Sequence, residues 1–263
     1  MDLHLNGKRA LVTGASRGLG YAAALSLARE GCHIALNSRN ADNAAKAADN
    51  IKKQTGVQVI SIPGDVGIPG TAGEIIEKTA AALGGIDLLL TNSGGPPAGK
   101  FEDFDEKAWY SAFELVFMSH VRLIRAALPF LRQSKSPSVL TLTSYSVKQP
   151  IPNLILSNSI RSAVVGLTKT LAMELGSEGI RFNSILPGWT DTERVRYLME
   201  QRAKANGTTI EEEIAKQIQD SPLGRMATPQ EFANVAVFLL SPAASYLTGI
   251  MLTVDGGMYK GML

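Results

Sequence analysis

The sequence predicts an α/β fold built on one doubly wound, parallel, seven-stranded sheet with helices on both faces. Three observations carry this expectation. Short strand-like runs alternate with longer helical stretches along the chain. Two of those runs, Leu88-Leu89-Leu90 and residues 139–142, are almost continuously apolar, as strands covered on both faces are. The first run ends in a glycine-rich turn, residues 13–20, that opens a helix.

Each element follows in order. Residues 9–13 form a short β-rich run that stops at the turn. Residues 19–30, rich in Ala and Leu, predict a helix ending at Gly31, and residues 34–37 a second strand. Residues 41–55 predict an Ala/Lys/Asn-rich helix ended by Gly56, where a left-handed residue stops a helix most easily. Residues 57–62 predict the third strand. Residues 72–83 predict a helix closed by Gly84-Gly85, and residues 87–91 the fourth strand. A single long helix is expected over 105–133, then a fifth strand over 138–143 and a second long helix over 154–176. Residues 180–186 and 250–254 complete the sheet. Ligands of such sheets bind beyond the carboxyl ends of the strands, and every motif below falls at one of those ends.

Bulk properties narrow the function classes. No Pro/Gly/Ser-rich linker or charge run divides residues 1–263, so one domain is expected. A net charge of +2 gives no reason to expect nucleic acid or a membrane surface as partner. No apolar run approaches the roughly 20 residues needed to span a bilayer, and the N-terminal residues lack an apolar signal core. Cys32 is the only cysteine, so no internal disulfide can form and a cytoplasmic setting is expected. Its expected role is a small buried apolar residue at a helix end. His4, His33 and His120 are scattered, and no His/Cys/Asp/Glu cluster has metal-ligand spacing, so no metal is expected.

The turn carries the strongest chemistry. Gly14 lets the strand turn tightly into the helix. Gly18 and Gly20 let a pyrophosphate and the sheet approach the helix backbone. Ser16, Arg17 and Leu19 complete this phosphate cradle. The helix N-terminus offers free N–H groups and a positive dipole end. Enzymes that use NAD place an acid at the end of the second strand. That position, seven after Gly31, is Ser38, and Arg39 follows it. Two guanidinium groups, Arg17 and Arg39, match a 2′-phosphate, so NADP(H) is expected in preference to NAD(H).

The pattern Gly14-x-x-x-Gly18-x-Gly20, with Asn92, Ser144 and Pro187-Gly188, resembles the short-chain dehydrogenase/reductase family. It is closest in flavour to the branch of β-ketoacyl-acyl carrier protein reductases. The resemblance continues through Pro222-Leu223-Gly224-Arg225 and Tyr246-Leu-Thr-Gly249 to Val254-Asp-Gly-Gly257, so it covers essentially the whole chain. It implies a Rossmann-like fold. It also implies adenine contacts from Asp65-Val66 and a nicotinamide loop of Pro187, Gly188 and Thr190. Asn92 and Gly94 match the family's Asn-Asn-Ala-Gly, although its first Asn is Thr91 here.

In the family a Tyr moves the substrate's proton, and a Lys lowers the pKa of that Tyr and holds the nicotinamide ribose. A Ser orients the carbonyl, and an Asn supports a connecting water. Ser144 stands at the serine position. Counting from it, the Tyr position is Ser157 and the Lys position is Arg161; the Asn position is Val116. An alkyl hydroxyl is a far weaker acid than a phenol, and a guanidinium does not release its proton readily. Tyr145, with Lys148 three residues on, is a candidate replacement acid. The expected catalytic set is therefore Ser144, Ser157, Arg161 and Tyr145, with Arg161 also on the cofactor.

Residues 190–220 are expected to form a substrate lid. The basic residues of this segment, Arg194, Arg196, Arg202 and Lys204, read as the solvated face of an amphipathic helix, with an acidic substrate or an acyl carrier as the alternative. Residues 112–131 and 163–175 are apolar enough to pair between subunits, which implies a homotetramer or homodimer. The expected activity is hydride transfer between NADP(H) and a carbonyl or alcohol substrate, including a 3-oxoacyl thioester. A non-catalytic NADP-binding regulatory or scaffold protein is the alternative. A lyase or isomerase using the same pocket is a third.

Overall fold

Seven parallel strands form one sheet in the order β3-β2-β1-β4-β5-β6-β7 in the computed structural model, which describes residues 1–262. The strands are β1 (Arg9–Val12), β2 (His33–Ser38), β3 (Val59–Pro63), β4 (Leu88–Thr91), β5 (Ser138–Leu142), β6 (Arg181–Pro187) and β7 (Met251–Val254). The winding reverses between β1 and β4, because β1 pairs with both β2 and β4. That reversal opens a crevice at the carboxyl ends of the two strands. Thr13 and Asn92 tie its walls together. The Thr13 hydroxyl donates to the Asn92 carbonyl at 2.7 Å and accepts from the Asn92 N–H at 2.8 Å.

Helices cover both faces. On one side, α1 (Gly18–Arg29), α2 (Ala41–Thr55) and α9 (Pro229–Leu240) bury Leu27, Ile51 and Phe232 against the sheet. On the other, α3 (Thr71–Leu83), α5 (Ser119–Leu131) and α6 (Ile155–Leu175) bury Ile75, Leu123 and Ala172 with Phe182 of β6. Burying each of the Leu, Ile and Phe side chains contributes about 1.5–3 kcal/mol, and Ala172 less. The helix ends carry their own signals. Asn40 caps α2 by accepting the Asn43 N–H at 2.8 Å, and Gly56 closes it at φ 74°.

Three departures from the expected elements have physical reasons. The helix expected over 105–133 is not continuous. It divides into α4 (Glu106–Phe113), a π turn (Glu114–Met118) and α5. The turn's extra residue shifts the helix phase. Ala112 and Val116 then pack on Leu156 and Ile160 of α6, while Leu123 and Ile124 face the sheet. The lid segment is a pair of helices, α7 (Glu193–Asn206) and α8 (Ile210–Ile218). Helix α9 was not expected, although Thr228 and Glu231 form a capping box around Pro229 at its start. Cys32 is fully buried and donates to the Leu5 carbonyl at 3.3 Å; burial pushes its thiol up to about 12, so it is inert at neutral pH.

Candidate active site

A cavity of about 710 Å³ opens at the carboxyl ends of the central strands. The glycine turn forms one wall through Gly14, Arg17, Gly18 and Leu19. The β4 end supplies Asn92 and Gly94, and the β5 end supplies Ser144 and Tyr145. Helix α6 contributes Ser157 and Arg161, and β6 ends in Pro187, Gly188 and Thr190 on the same cavity. Arg39 also lines it. Ser16, Gly20, Ser38, Asp65 and Val66 lie outside this lining. Ser38 donates to the Ser16 hydroxyl at 2.9 Å, Asp65 lies 3.9 Å from Arg39, and Val66 is buried in the core beside α3.

The glycine turn fits a dinucleotide. Gly14 and Gly18 adopt φ 58° and 59°, where a side chain is strained. A Cβ on Gly20 would lie 2.5 Å from the Gly14 carbonyl oxygen, so the helix start packs directly on the turn. Among the described residues no side chain caps α1, and its first residues, Gly18 and Leu19, line the cavity, which makes its free N–H groups a candidate anion site. Asn92 supports the turn by donating to the Gly14 carbonyl at 3.2 Å. No acid stands at the end of β2: Ser38 is its last residue, and the exposed Arg39 follows.

At the inner end, Arg161 is 7% exposed and has no carboxylate partner among the described residues. Its Nε donates to Ser157 Oγ at 3.2 Å, and its Nη1 donates to the carbonyls of Leu142 and Thr143 at 3.3 and 3.4 Å. Burial, and secondarily the Arg194 charge, pull its pKa down to about 10, so it is still a cation at neutral pH. Ser144 Oγ accepts the Ser146 N–H at 3.1 Å. Both serine oxygens are thus engaged as acceptors from N–H groups, which leaves each O–H as a donor for something else.

Tyr145 is 7% exposed and meets Trp189 edge-on, with ring centroids 6.5 Å apart. Burial pushes its phenol up, against a smaller opposite pull from Arg202. The Lys148 ammonium sits 5.1 Å over the Tyr259 ring, not beside the phenol. Val116 is fully buried in apolar surroundings. One turn further on, His120 holds Thr91 Oγ1 at 2.7 Å through Nδ1, while its Nε2 has no hydrogen-bond partner among the described residues. Burial first, then the Arg161 charge, hold His120 down to about 3.

The lid's basic residues divide into two kinds. Arg196 and Lys204 pair on the surface with Asp191 and Glu200, both at 2.8 Å. Arg194, still exposed, donates to the Pro96 carbonyl at 2.9 Å, and the half-buried Arg202 lies 5.2 Å over the Trp189 ring. Across the mouth, Arg17 pairs with Glu193. The sequence signalled the basic run but not which members pair on the surface. That depends on the phase of α7, which Leu198 and Met199 set by burying themselves beside Trp189.

The switch-point crevice and glycine turn define a dinucleotide-binding α/β protein. The chain belongs to the short-chain dehydrogenase/reductase family. A family model described as enoyl-(acyl carrier protein) reductase matches residues 14–259. A 3-oxoacyl-(acyl-carrier-protein) reductase from Staphylococcus epidermidis is 31% identical over 96% of this chain and 99% of its own. L-Sorbose reductase from Gluconobacter frateurii, solved with NADPH and L-sorbose, superposes with a TM-score of 0.95 at 33% identity, covering all of both chains. An NADPH-bound short-chain oxidoreductase from Pseudomonas aeruginosa PAO1, described as containing an atypical catalytic center, gives 0.88 at 26% identity over 97% of this chain and 98% of its own.

Proposed function

We propose that this chain is an NADP(H)-dependent oxidoreductase that interconverts a small polar carbonyl compound and its alcohol, using Ser157 and Arg161 where relatives use Tyr and Lys. The observation that carries this reading is the continuity of one cavity from the glycine turn to Ser144, Ser157 and Arg161. Bound cofactor would supply or accept the hydride. Gly14, Gly18 and Leu19 hold its diphosphate, Arg17, Ser38 and Arg39 its 2′-phosphate, and Asp65 and Val66 flank the adenine. Asn92, Gly94, Arg161, Pro187, Gly188 and Thr190 hold the nicotinamide end.

Ser144 and Ser157 donate to the substrate oxygen, because their lone pairs already accept N–H groups. Arg161 polarises Ser157 and places a fixed positive charge beside the oxygen as charge builds there. This is electrostatic stabilisation in place of a titrating acid, and single donors of that kind are worth about 10²–10³-fold. The final proton comes from solvent water. Tyr145, packed against Trp189, supports the pocket wall. Exposed Tyr110 and Phe113 on α4 and Met173 on α6 support assembly into a homo-oligomer.

A second reading, a non-catalytic NADP-binding protein, is favoured by Val116, buried in apolar surroundings, and by Tyr145, whose phenol burial pushes up. Fluorescence titration with NADPH and NADH, followed by an NADPH-oxidation assay on ketoses, oxo-acids and 3-oxoacyl thioesters, separates the two. Tight NADPH binding with turnover is expected. Tight binding without turnover on any of them favours the non-catalytic reading, and no binding removes both.

A further inference from the structure

The cavity gathers four arginines, and their partners separate them. At the mouth, Arg17 pairs with Glu193, and Arg39 lies 3.9 Å from Asp65. Arg161, buried on α6, and Arg194, exposed on the lid side of the same cavity, have no carboxylate partner among the described residues. Arg161 rests on one hydroxyl and two carbonyls. Arg194 donates to the Pro96 carbonyl at 2.9 Å and lies 5.8 Å over the Tyr197 ring. Its place is shaped by the β4 loop: a Cβ on Gly95 would lie 2.9 Å from Arg194 Nη2. Both guanidinium groups line one cavity, and the charge of Arg194 bears secondarily on Arg161. Like charges without a counterion are unfavourable in a partly enclosed site, and an oxyanion between them relieves this.

We infer that the substrate is anionic, an oxo or hydroxy compound whose carboxylate or phosphate pairs with Arg194 in the field of Arg161. This rests on the oxidoreductase reading above and names its substrate class. Arg194 is then a specificity-determining residue. Its planar fork suits two parallel hydrogen bonds to one oxyanion, which a neutral hydroxymethyl group does not supply. Ser144 and Ser157 remain for the carbonyl. The surface-paired Arg196 and Lys204 take no part, which distinguishes a local seat from a generally basic lid.

The test uses the full chain saturated with NADP⁺, so that a ketone binds without turning over. Calorimetric titrations compare matched pairs: L-sorbose against 5-keto-D-gluconate, which differ in a terminal hydroxymethyl group against a carboxylate, and dihydroxyacetone against its phosphate. The anionic member of at least one pair is expected to bind ten-fold or more tightly than the neutral one, and the pair that responds distinguishes carboxylate from phosphate. Arg194→Gln should bring that ratio close to one, with NADPH affinity unchanged. Gly95→Ala, which displaces the guanidinium without removing it, should lower the ratio in the same direction. Equal or weaker binding of the anion in every pair overturns the inference, as does no binding by any of the four. It is also overturned if Arg194→Gln weakens NADPH and leaves the ratio intact, since Arg194 would then serve the cofactor's diphosphate. Anion binding without NADPH oxidation on the same compound would instead sink the oxidoreductase reading while leaving the anion seat standing.

Discussion

Arg161 shows how one substitution changes what a site can do. A lysine in its place would offer a compact ammonium; the guanidinium reaches Ser157 and the two β5 carbonyls at once and stays charged. Tyr145 lines the cavity but burial pushes its phenol up, so the proposed chemistry draws on no acid that titrates between pH 6 and 9. Turnover at saturating substrate should therefore be nearly flat across that range. The double variant Ser157→Tyr with Arg161→Lys should introduce an inflection there and raise kcat by about 10²-fold, the usual worth of a positioned acid. A steep wild-type profile, or a double variant with unchanged pH dependence, would contradict the electrostatic mechanism.

His120 makes the opposite use of burial. In the folded protein it stays neutral down to about 3, while in the unfolded chain it protonates near 6.5. The depressed value means that the unfolded state binds the extra proton first. The stability contributed is complete above pH 6.5 and is lost as pH falls toward 3. Between those limits the slope approaches about 1.4 kcal/mol per pH unit. Urea unfolding of His120→Gln at pH 7 and pH 5 should show a smaller loss than wild type. Parallel losses would mean that His120 is not held neutral. The count from Ser144 had already picked out Ser157 and Arg161. His120 stood in the sequence only as one of three scattered histidines, because a lone histidine in an apolar helix carries no sign of the Arg161 charge that bears on it.

At the scale of elements, the strands were readable because burial on both faces leaves near-continuous apolar runs, and the first helices because glycines end them. The π turn was not readable. Its cause is tertiary: α6 and the sheet demand two different phases of one helix. The same holds for the β1–β4 junction, where Asp87 gathers Arg9 Nε at 2.8 Å, the Arg9 backbone N–H at 2.9 Å and the Ser134 hydroxyl at 2.5 Å. Burial alone would raise this carboxyl, but the hydrogen bonds outweigh it and hold it at about 2. A depressed carboxylate stabilises above its unfolded value of 3.8, and that contribution disappears as pH falls toward 2. Asp87→Asn leaves Arg9 with a weaker partner at the amino-terminal edge of β1 and β4, opposite the crevice. It should cost about 2 kcal/mol, lowering Tm by roughly 4–8 °C at pH 7 and by clearly less at pH 3. An equal loss at both values would assign the effect to packing.

For the whole molecule, the decisive contact joins the glycine turn and the lid, 176 positions apart in the chain. Arg17 in the glycine turn pairs with Glu193 at the start of the lid, closing the cavity mouth. Both side chains are largely exposed, so the pair itself is weak, at most about 1 kcal/mol. Its importance is competition. The proposed 2′-phosphate needs Arg17, and Glu193 both occupies that guanidinium and adds a negative charge at the mouth. Binding NADPH should exchange a lid contact for a cofactor contact, whereas NADH has no phosphate to make the exchange. Glu193→Gln is therefore expected to tighten NADPH by about two- to five-fold and to leave NADH within experimental error. Raising the salt concentration should shrink the difference, since exposed charges are screened. Equal tightening of both cofactors would mean that Glu193 acts on the shared diphosphate, and weaker NADPH binding would mean that the closed lid holds the cofactor in rather than competing with it.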